Sequence, residues 1–401
     1  MHTADSRYAW QRLAASTLLC ALGSFSMWGV VVIFPALQAE FAASRADVSF
    51  SYTATMVGFG AGVVLMGRMI DARGAFPTML LATALLVIGC VMAALAPNLW
   101  VFVAAQGILI GFGSAAAFIP LMADISHWFV KRRALAMAIS ASGNYLGGAI
   151  WPKIVDVVTQ AHDWRTTYLV IAVICVLGML PCCLVLRPRS PIQAAGAAPA
   201  VAPSSPAALG LSSISLQLWL VIAGVGCCVA MSMPQVHIVA YCVDLGYGTT
   251  RGAEMLSLMT ATGVLSRVGS GWIADRIGGI KTMLLGSTLQ AAALLAYLVS
   301  DSLMSIYLVS ALFGLVQGGI VPSYGVIVRE YYPPREAGTR MGITIAATIL
   351  GMALGGWMGG ALFDLTGSYR AAFINGFAWN VLNGVVIWWL LTRQNRRPAY
   401  A

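Results

Sequence analysis

Arg267 is the residue whose setting most demands a reason. It stands inside "MLSLMTATGVLSRVGSGWIADRIG", about two helical turns, ~12 Å, ahead of Asp275. Placing a charge in the middle of so apolar a run costs at least ~2.5–3.5 kcal/mol across a bilayer. Thr260, Gly263, Arg267, Ser270 and Gly271 fall on one small or polar stripe at helical spacing, which suggests that Arg267 faces a wet cavity. A fixed guanidinium fits a planar carboxylate through two parallel hydrogen bonds. No second cation lies at similar depth on the later spans, so one carboxylate matches better than two. The structural alternative is an arginine that caps carbonyls or pairs with Asp124.

Other polar residues could serve the same chemistry. His237, in "MSMPQVHIVAY", is the only histidine well inside an apolar run; Pro234 should kink the chain there, and Tyr241 lies one turn on. A histidine changes charge near neutral pH, so His237 is a candidate to carry a proton or to bind a substrate. Asp244 is the second proton candidate. Asn144, Tyr145, Gln317 and Tyr324 could add neutral hydrogen bonds. Enzyme signals fail on inspection. "GFGSAA" at 111–116 lies within an apolar run rather than after a strand, and "GGIKT" at 278–282 lacks the glycine spacing of a phosphate loop. The four histidines are too scattered for a metal cluster, so neither metal, cofactor nor catalytic residues are expected.

The elements that must position these groups follow from composition. Only 9% of the 401 residues are charged, 59% are hydrophobic, and the mean hydropathy is +0.83. A soluble domain carries roughly a quarter charged residues. The chain is therefore expected to be an integral membrane protein. Apolar runs of about 20 residues, enough to span, begin near 13, 47, 77, 99, 134, 166, 216, 252, 281, 303, 337 and 370. With the N-terminus inside, seventeen of the 23 Lys and Arg residues face the cytoplasm and five face out, Arg267 being in neither group. That bias puts both termini in the cytoplasm and explains the net charge of +9 without nucleic acid. The eight cysteines read as small buried hydrophobes.

An Ala, Pro and Ser-rich stretch at 187–213 reads as a cytoplasmic linker and divides the chain into bundles 1–186 and 214–401. The halves repeat. "GRMIDARG" matches "GWIADRIG", "DWRTTY" matches "SYRAAF", and "WFVKRRA" matches "YYPPREA", at offsets of 204, 205 and 203. Such parallel repeats resemble the major facilitator superfamily of transporters. The resemblance implies an all-α membrane fold: twelve transmembrane helices in two six-helix bundles related by pseudo-two-fold symmetry. Gly67 is expected to let two helices approach, while Asp71 and Arg73 form a gating latch, with Gly271, Asp275 and Arg276 as its second copy. Gly-rich faces at Gly143, Gly147 and Gly148 and at Gly351, Gly355, Gly356, Gly359 and Gly360 suggest close helix packing, with or without sliding.

Finally, "HWFVKRRALAMAISASGNYLGG" resembles the fifth-helix signature of the monocarboxylate transporter family, through Phe129, Lys131, Arg132, Arg133, Leu135, Ala136, Gly143 and Gly147. The basic triplet is most simply a topology anchor at the foot of a helix, and a further gating candidate. That family's eighth-helix arginine, which binds the substrate carboxylate, matches Arg267. This chain has Gly263 where the animal members carry an Asp, and no Lys in its first span, which points to a bacterial-type branch. The resemblance implies a small carboxylate substrate of lactate or pyruvate type, symport with a proton by alternating access, and a monomeric functional unit in the inner membrane. Exchange of organic anions such as oxalate and formate, or efflux of amphipathic compounds, are the alternatives.

Overall fold

The computed structural model describes residues 5–130, 132–188 and 206–396, and contains no strand among them. In a bilayer every backbone N–H and C=O must be paired within its own segment, which so apolar a chain achieves as helices. Helices 1 to 6 are Arg7–Val32, Arg45–Arg73, Ala75–Ala94, Leu99–Ser126, Arg133–Ala161 and Trp164–Val185. Helices 7 to 12 are Ser213–Asp244, Gly248–Ile277, Gly279–Leu298, Leu303–Tyr331, Pro334–Thr366 and Tyr369–Arg396. All twelve expected spans are present. Ten are long and apolar enough to cross a membrane by composition alone; helices 5 and 8, which carry Lys153, Asp156, Glu254 and Arg267, fall outside that group. Helix 7 passes through Pro234 without interruption.

Polar caps set the helix boundaries. Ser44, Asn98, Asp163 and Ser302 each accept the backbone N–H three residues on, opening helices 2, 4, 6 and 10. Gly74 and Gly278, the last residues of the repeated "GRMIDARG" and "GWIADRIG", have φ of +93° and +83° and end helices 2 and 8. Only glycine adopts that backbone without strain, so the repeat conserves the turn as well as the charges.

The described chain forms two compact units. Unit 1 comprises Met1–Ala197 with Ile238–Ser257, and unit 2 comprises Ala198–His237 with Leu258–Ala401. Most of the expected linker, 189–205, lies outside the described residues. The C-terminal end of helix 7 and the N-terminal end of helix 8, Ile238–Ser257, group with unit 1. There Arg45 donates to both oxygens of Asp244 at 2.6 and 2.5 Å, and Lys153 pairs with Glu254 at 3.0 Å.

Within unit 1, helix 5 lies against helix 1 through its glycines. A Cβ added at Gly143 would meet Thr17 O at 2.4 Å, and one at Gly147 would meet Ser24 Oγ at 1.9 Å. Within unit 2, helix 11 meets helix 7 in the same way. A Cβ at Gly351 would meet Val225 O at 2.6 Å, and one at Gly355 would meet Ser232 Oγ at 2.0 Å. Small residues permit such backbone contact where lipid supplies no hydrophobic drive between helices. Gly67 and Gly271 do not act this way. An added Cβ would touch only Pro120 Cγ at 3.9 Å beside Gly67, and nothing within 4 Å beside Gly271. The tight approach of helix 2 to helix 4 is made higher up, by Gly58 and Gly62.

Candidate functional site

Arg267 is half-buried on helix 8, and its Nε donates to the carbonyl of Gly318 at 3.4 Å. That carbonyl lies at a break in helix 10, between the segments Leu303–Gln317 and Ile320–Tyr331. The break lets the two backbones come together: a Cβ at Gly318 would meet Gly263 O at 2.3 Å, and one at Gly319 would meet Ser270 Cβ at 2.2 Å. The small stripe around Arg267 therefore packs on helix 10 rather than facing open water, with Thr260 fully buried. Gly263 and Ser270 are small because helix 10 lies against them, whereas Gly271 is exposed with open space beside it. Asp124 is taken by another cation. Arg12 donates to its Oδ2 through Nε at 3.0 Å and Nη2 at 2.8 Å, and stacks over Trp128 at 4.6 Å.

The remaining candidates divide among different settings. Gln317 is buried beside the helix 10 break and accepts from Gln235 of helix 7 at 2.7 Å. Tyr324 is buried one segment further on, where its hydroxyl donates to Asn383 Oδ1 at 3.3 Å. His237 lies in the seam between helices 7 and 11. Its Nε2 is 2.8 Å from the carbonyl of Gly356, and a Cβ at Gly359 would come within 2.3 Å of that nitrogen. His237 and Tyr369 rings are 5.2 Å apart. In unit 1, the Asn144 carbonyl accepts from the Trp28 indole at 3.2 Å, and Tyr145 lies 6.2 Å from the Trp28 ring. Tyr241 is buried, while Asp244 is gripped by Arg45 as described. The structure thus brings Arg267 and Gln317 to one helix break and distributes the others.

Among the gating candidates, Asp71, Arg73, Asp275 and Arg276 are exposed, with Arg276 over the Trp272 ring at 3.4 Å. Arg132 is exposed just before helix 5, Arg133 is its first residue, and Lys131 lies outside the described residues. Among the described residues no group of His, Cys, Asp or Glu is arranged to hold a metal ion.

Three residues of evident weight were not singled out from the sequence. Arg12 reads as one more cytoplasmic charge, yet it is 1% exposed. Asp156 is buried in helix 5, where it accepts from Gln160 at 3.0 Å. Gln235 sits beside Pro234 in the stretch that drew attention to His237. An amide in the middle of an apolar run was the available signal.

Two sets of six helices, repeated in sequence and carrying polar groups inside apolar spans, define a polytopic membrane protein built to pass small molecules. A solved structure titled as a bacterial homolog of the human lysosomal transporter Spinster, in an inward-facing and occupied conformation, has the same fold. Its TM-score is 0.71 at 14% identity, covering 99% of this chain and all of that one. The chain belongs to the Major Facilitator Superfamily, whose family model matches residues 16–315 and 255–400. It is a transporter, not an enzyme. Monocarboxylate transporter 13 of Rattus norvegicus is 24% identical over 92% of this chain and 86% of its own length. The Fujikurins efflux protein of Gibberella fujikuroi is 28% identical over 76% of this chain and 65% of its own.

Proposed function

We propose that this protein carries a small monocarboxylate across the inner membrane together with a proton, by alternating access, as a monomeric functional unit with both termini in the cytoplasm. The observation that carries the reading is Arg267, a half-buried guanidinium inside helix 8. Its Nε donates to the helix 10 backbone, and a guanidinium binds a carboxylate through two parallel hydrogen bonds. The similarity to monocarboxylate transporter 13 supports the same substrate class. His237 and Asp244 are the proton candidates. Asn144, Tyr145, Tyr241, Gln317 and Tyr324 are the supporting substrate contacts. The end of helix 2 at Gly67, Asp71 and Arg73, the end of helix 8 at Gly271, Asp275 and Arg276, and the basic triplet Lys131, Arg132 and Arg133 are the gating candidates.

The test is uptake of labelled lactate and pyruvate into proteoliposomes, with and without an inward proton gradient, by wild type and Arg267→Ala. Accumulation driven by the gradient and abolished in the variant is the expected result. Absence of uptake by folded wild-type protein rejects the substrate class. A second reading, efflux of amphipathic compounds, is favoured by similarity to the fungal efflux protein. Under it, transport of neutral amphipathic compounds persists in Arg267→Ala.

A further inference from the structure

The second unit buries an unusual amide pair. Gln235 and Gln317 are 2% and 0% exposed, and their single mutual hydrogen bond leaves Gln235 Oε1 and Gln317 Nε2 with no partner among the described residues. Interchanging oxygen and nitrogen in both side chains gives the converse arrangement, again with one carbonyl and one amino group unused. Either way the pair presents a donor and an acceptor together. Other buried amides of this unit bond outward: Gln217 to Thr344, Gln290 to the Cys227 carbonyl, Asn380 and Asn383 to Ser287. Gln217 Oε1, Gln290 Oε1 and Asn380 Oδ1 are unmet as well, but among the described residues Gln235 and Gln317 bond only to each other and leave both a donor and an acceptor on one bonded pair.

Buried polar atoms are costly to leave unmet, so a vacant donor and acceptor side by side call for a group that can serve both. Their position says which group. Gln317 is the residue before Gly318, whose carbonyl receives Arg267. The guanidinium and the amide pair therefore flank the same break in helix 10.

We propose that Gln235 and Gln317 determine specificity by reading a polar substituent on the carbon next to the carboxylate. The inference rests on the reading above, that the substrate is a monocarboxylate held by Arg267. A 2-hydroxyl accepts from the amino group and donates to the carbonyl, meeting both. A 2-oxo group accepts only, and a bare methylene meets neither. The ranking follows as 2-hydroxy acid above 2-oxo acid above simple alkanoate.

Lactate, pyruvate and propionate have the same three-carbon skeleton and differ at that carbon. Initial uptake rates into proteoliposomes test the ranking directly. Wild type is expected to prefer lactate to propionate by at least ~10-fold, with pyruvate between, because a site built to bond a hydroxyl rejects its absence. Gln317→Met and Gln235→Met, which keep side-chain length, narrow the spread among the three rates by lowering lactate most and propionate least. Equal wild-type rates for the three acids overturn the inference, since water alone then satisfies the pair. A uniform fall for all three acids in both variants also overturns it, as a merely structural role. Folded wild type that takes up none of the three rejects the monocarboxylate reading itself. The wild-type ranking needs no substitution, so it decides the matter even where a variant does not fold.

Discussion

The seam between helices 1 and 5 and the seam between helices 7 and 11 are built on one plan with one exchange. Gly143 faces Thr17 and Cys20, and Gly351 faces Val225 and Cys228; Gly147 faces Ala21 and Ser24, and Gly355 faces Val229 and Ser232. Every one of these counterparts is 208 residues apart. One position further along, the plan inverts. Unit 1 has Gly29 on helix 1 and Trp151 on helix 5, whose indole donates to Ala21 O at 2.8 Å. Unit 2 has His237 on helix 7 and Gly359 on helix 11. The bulky residue is supplied by opposite helices, and the polar group of each finds a backbone carbonyl. In unit 2 the ring of His237 fills the space at Gly359, whereas in unit 1 the space at Gly29 is met by Val155 and Phe25 while Trp151 reaches back to Ala21. The buried charges differ as well. Arg12, Asp124 and Asp156 all lie in unit 1, whereas the described buried polar residues of unit 2 are neutral amides, hydroxyls and His237.

The comparison is most severely tested at its shared positions. Gly147→Val and Gly355→Val should each cost about 3 kcal/mol or more, because even the first added carbon overlaps backbone oxygen and a serine hydroxyl. Thermal unfolding in detergent reads this, and a wild-type midpoint in either variant breaks the equivalence of the seams. Next comes the charge asymmetry. Arg12→Leu leaves Asp124 buried without its cation and should cost ~3–5 kcal/mol, while Arg12→Leu with Asp124→Leu recovers most of the loss. If the double variant is no better than the single one, the pair is not the unit of stability.

The exchanged position predicts a smaller, unequal pair of effects. Trp151→Ala should cost ~3 kcal/mol through the cavity it leaves, and His237→Ala about 1–2 kcal/mol through a lost hydrogen bond. Equal losses would mean that the two fillers are not interchangeable in kind. The smallest effect lies at the repeated helix starts. Two hydrogen bonds from Thr166 hold the Asp163 carboxyl below the usual range, whereas its counterpart, 205 residues on, is the non-titrating Ser368. A depressed carboxyl stabilises above its unfolded pKa of about 3.9 and loses that contribution as pH falls through the folded value. Asp163→Ser should therefore lower stability slightly at neutral pH and converge with wild type below the folded pKa, which flattens the acid limb of the profile. An unchanged acid limb removes Asp163 from the comparison.

What the sequence made legible follows the same division. Apolar length alone located all twelve helices, and the repeats in the connecting loops emerged because turn chemistry tolerates few residue types. Arg165 and Arg370 illustrate it: the first binds Glu40 and the carbonyls of Ala94 and Ala96, the second binds Asp301. The register of the seams was not legible, since the offset between halves wanders from 203 to 208 and large and small residues change sides. Arg267 could be singled out by the cost of its charge. The nature of its stripe could not, because a run of small residues describes a wet face and a tightly packed one equally well. Arg12 escaped notice for a related reason: counting charges by side of the membrane carries no information on burial.

The exchange of Gly29 and Trp151 for His237 and Gly359 also constrains history. Descent of both halves from one duplicated ancestor requires at least two substitutions at these positions. An intermediate large on both sides would force atoms together at the 2.3 Å separation that a single methyl at Gly359 already produces. An intermediate with glycine on both sides leaves only a gap, which lipid-embedded helices survive at the cost of a cavity. The path through glycine on both sides is the one that avoids this overlap, and the imidazole of His237 occupies space that Gly359 leaves open.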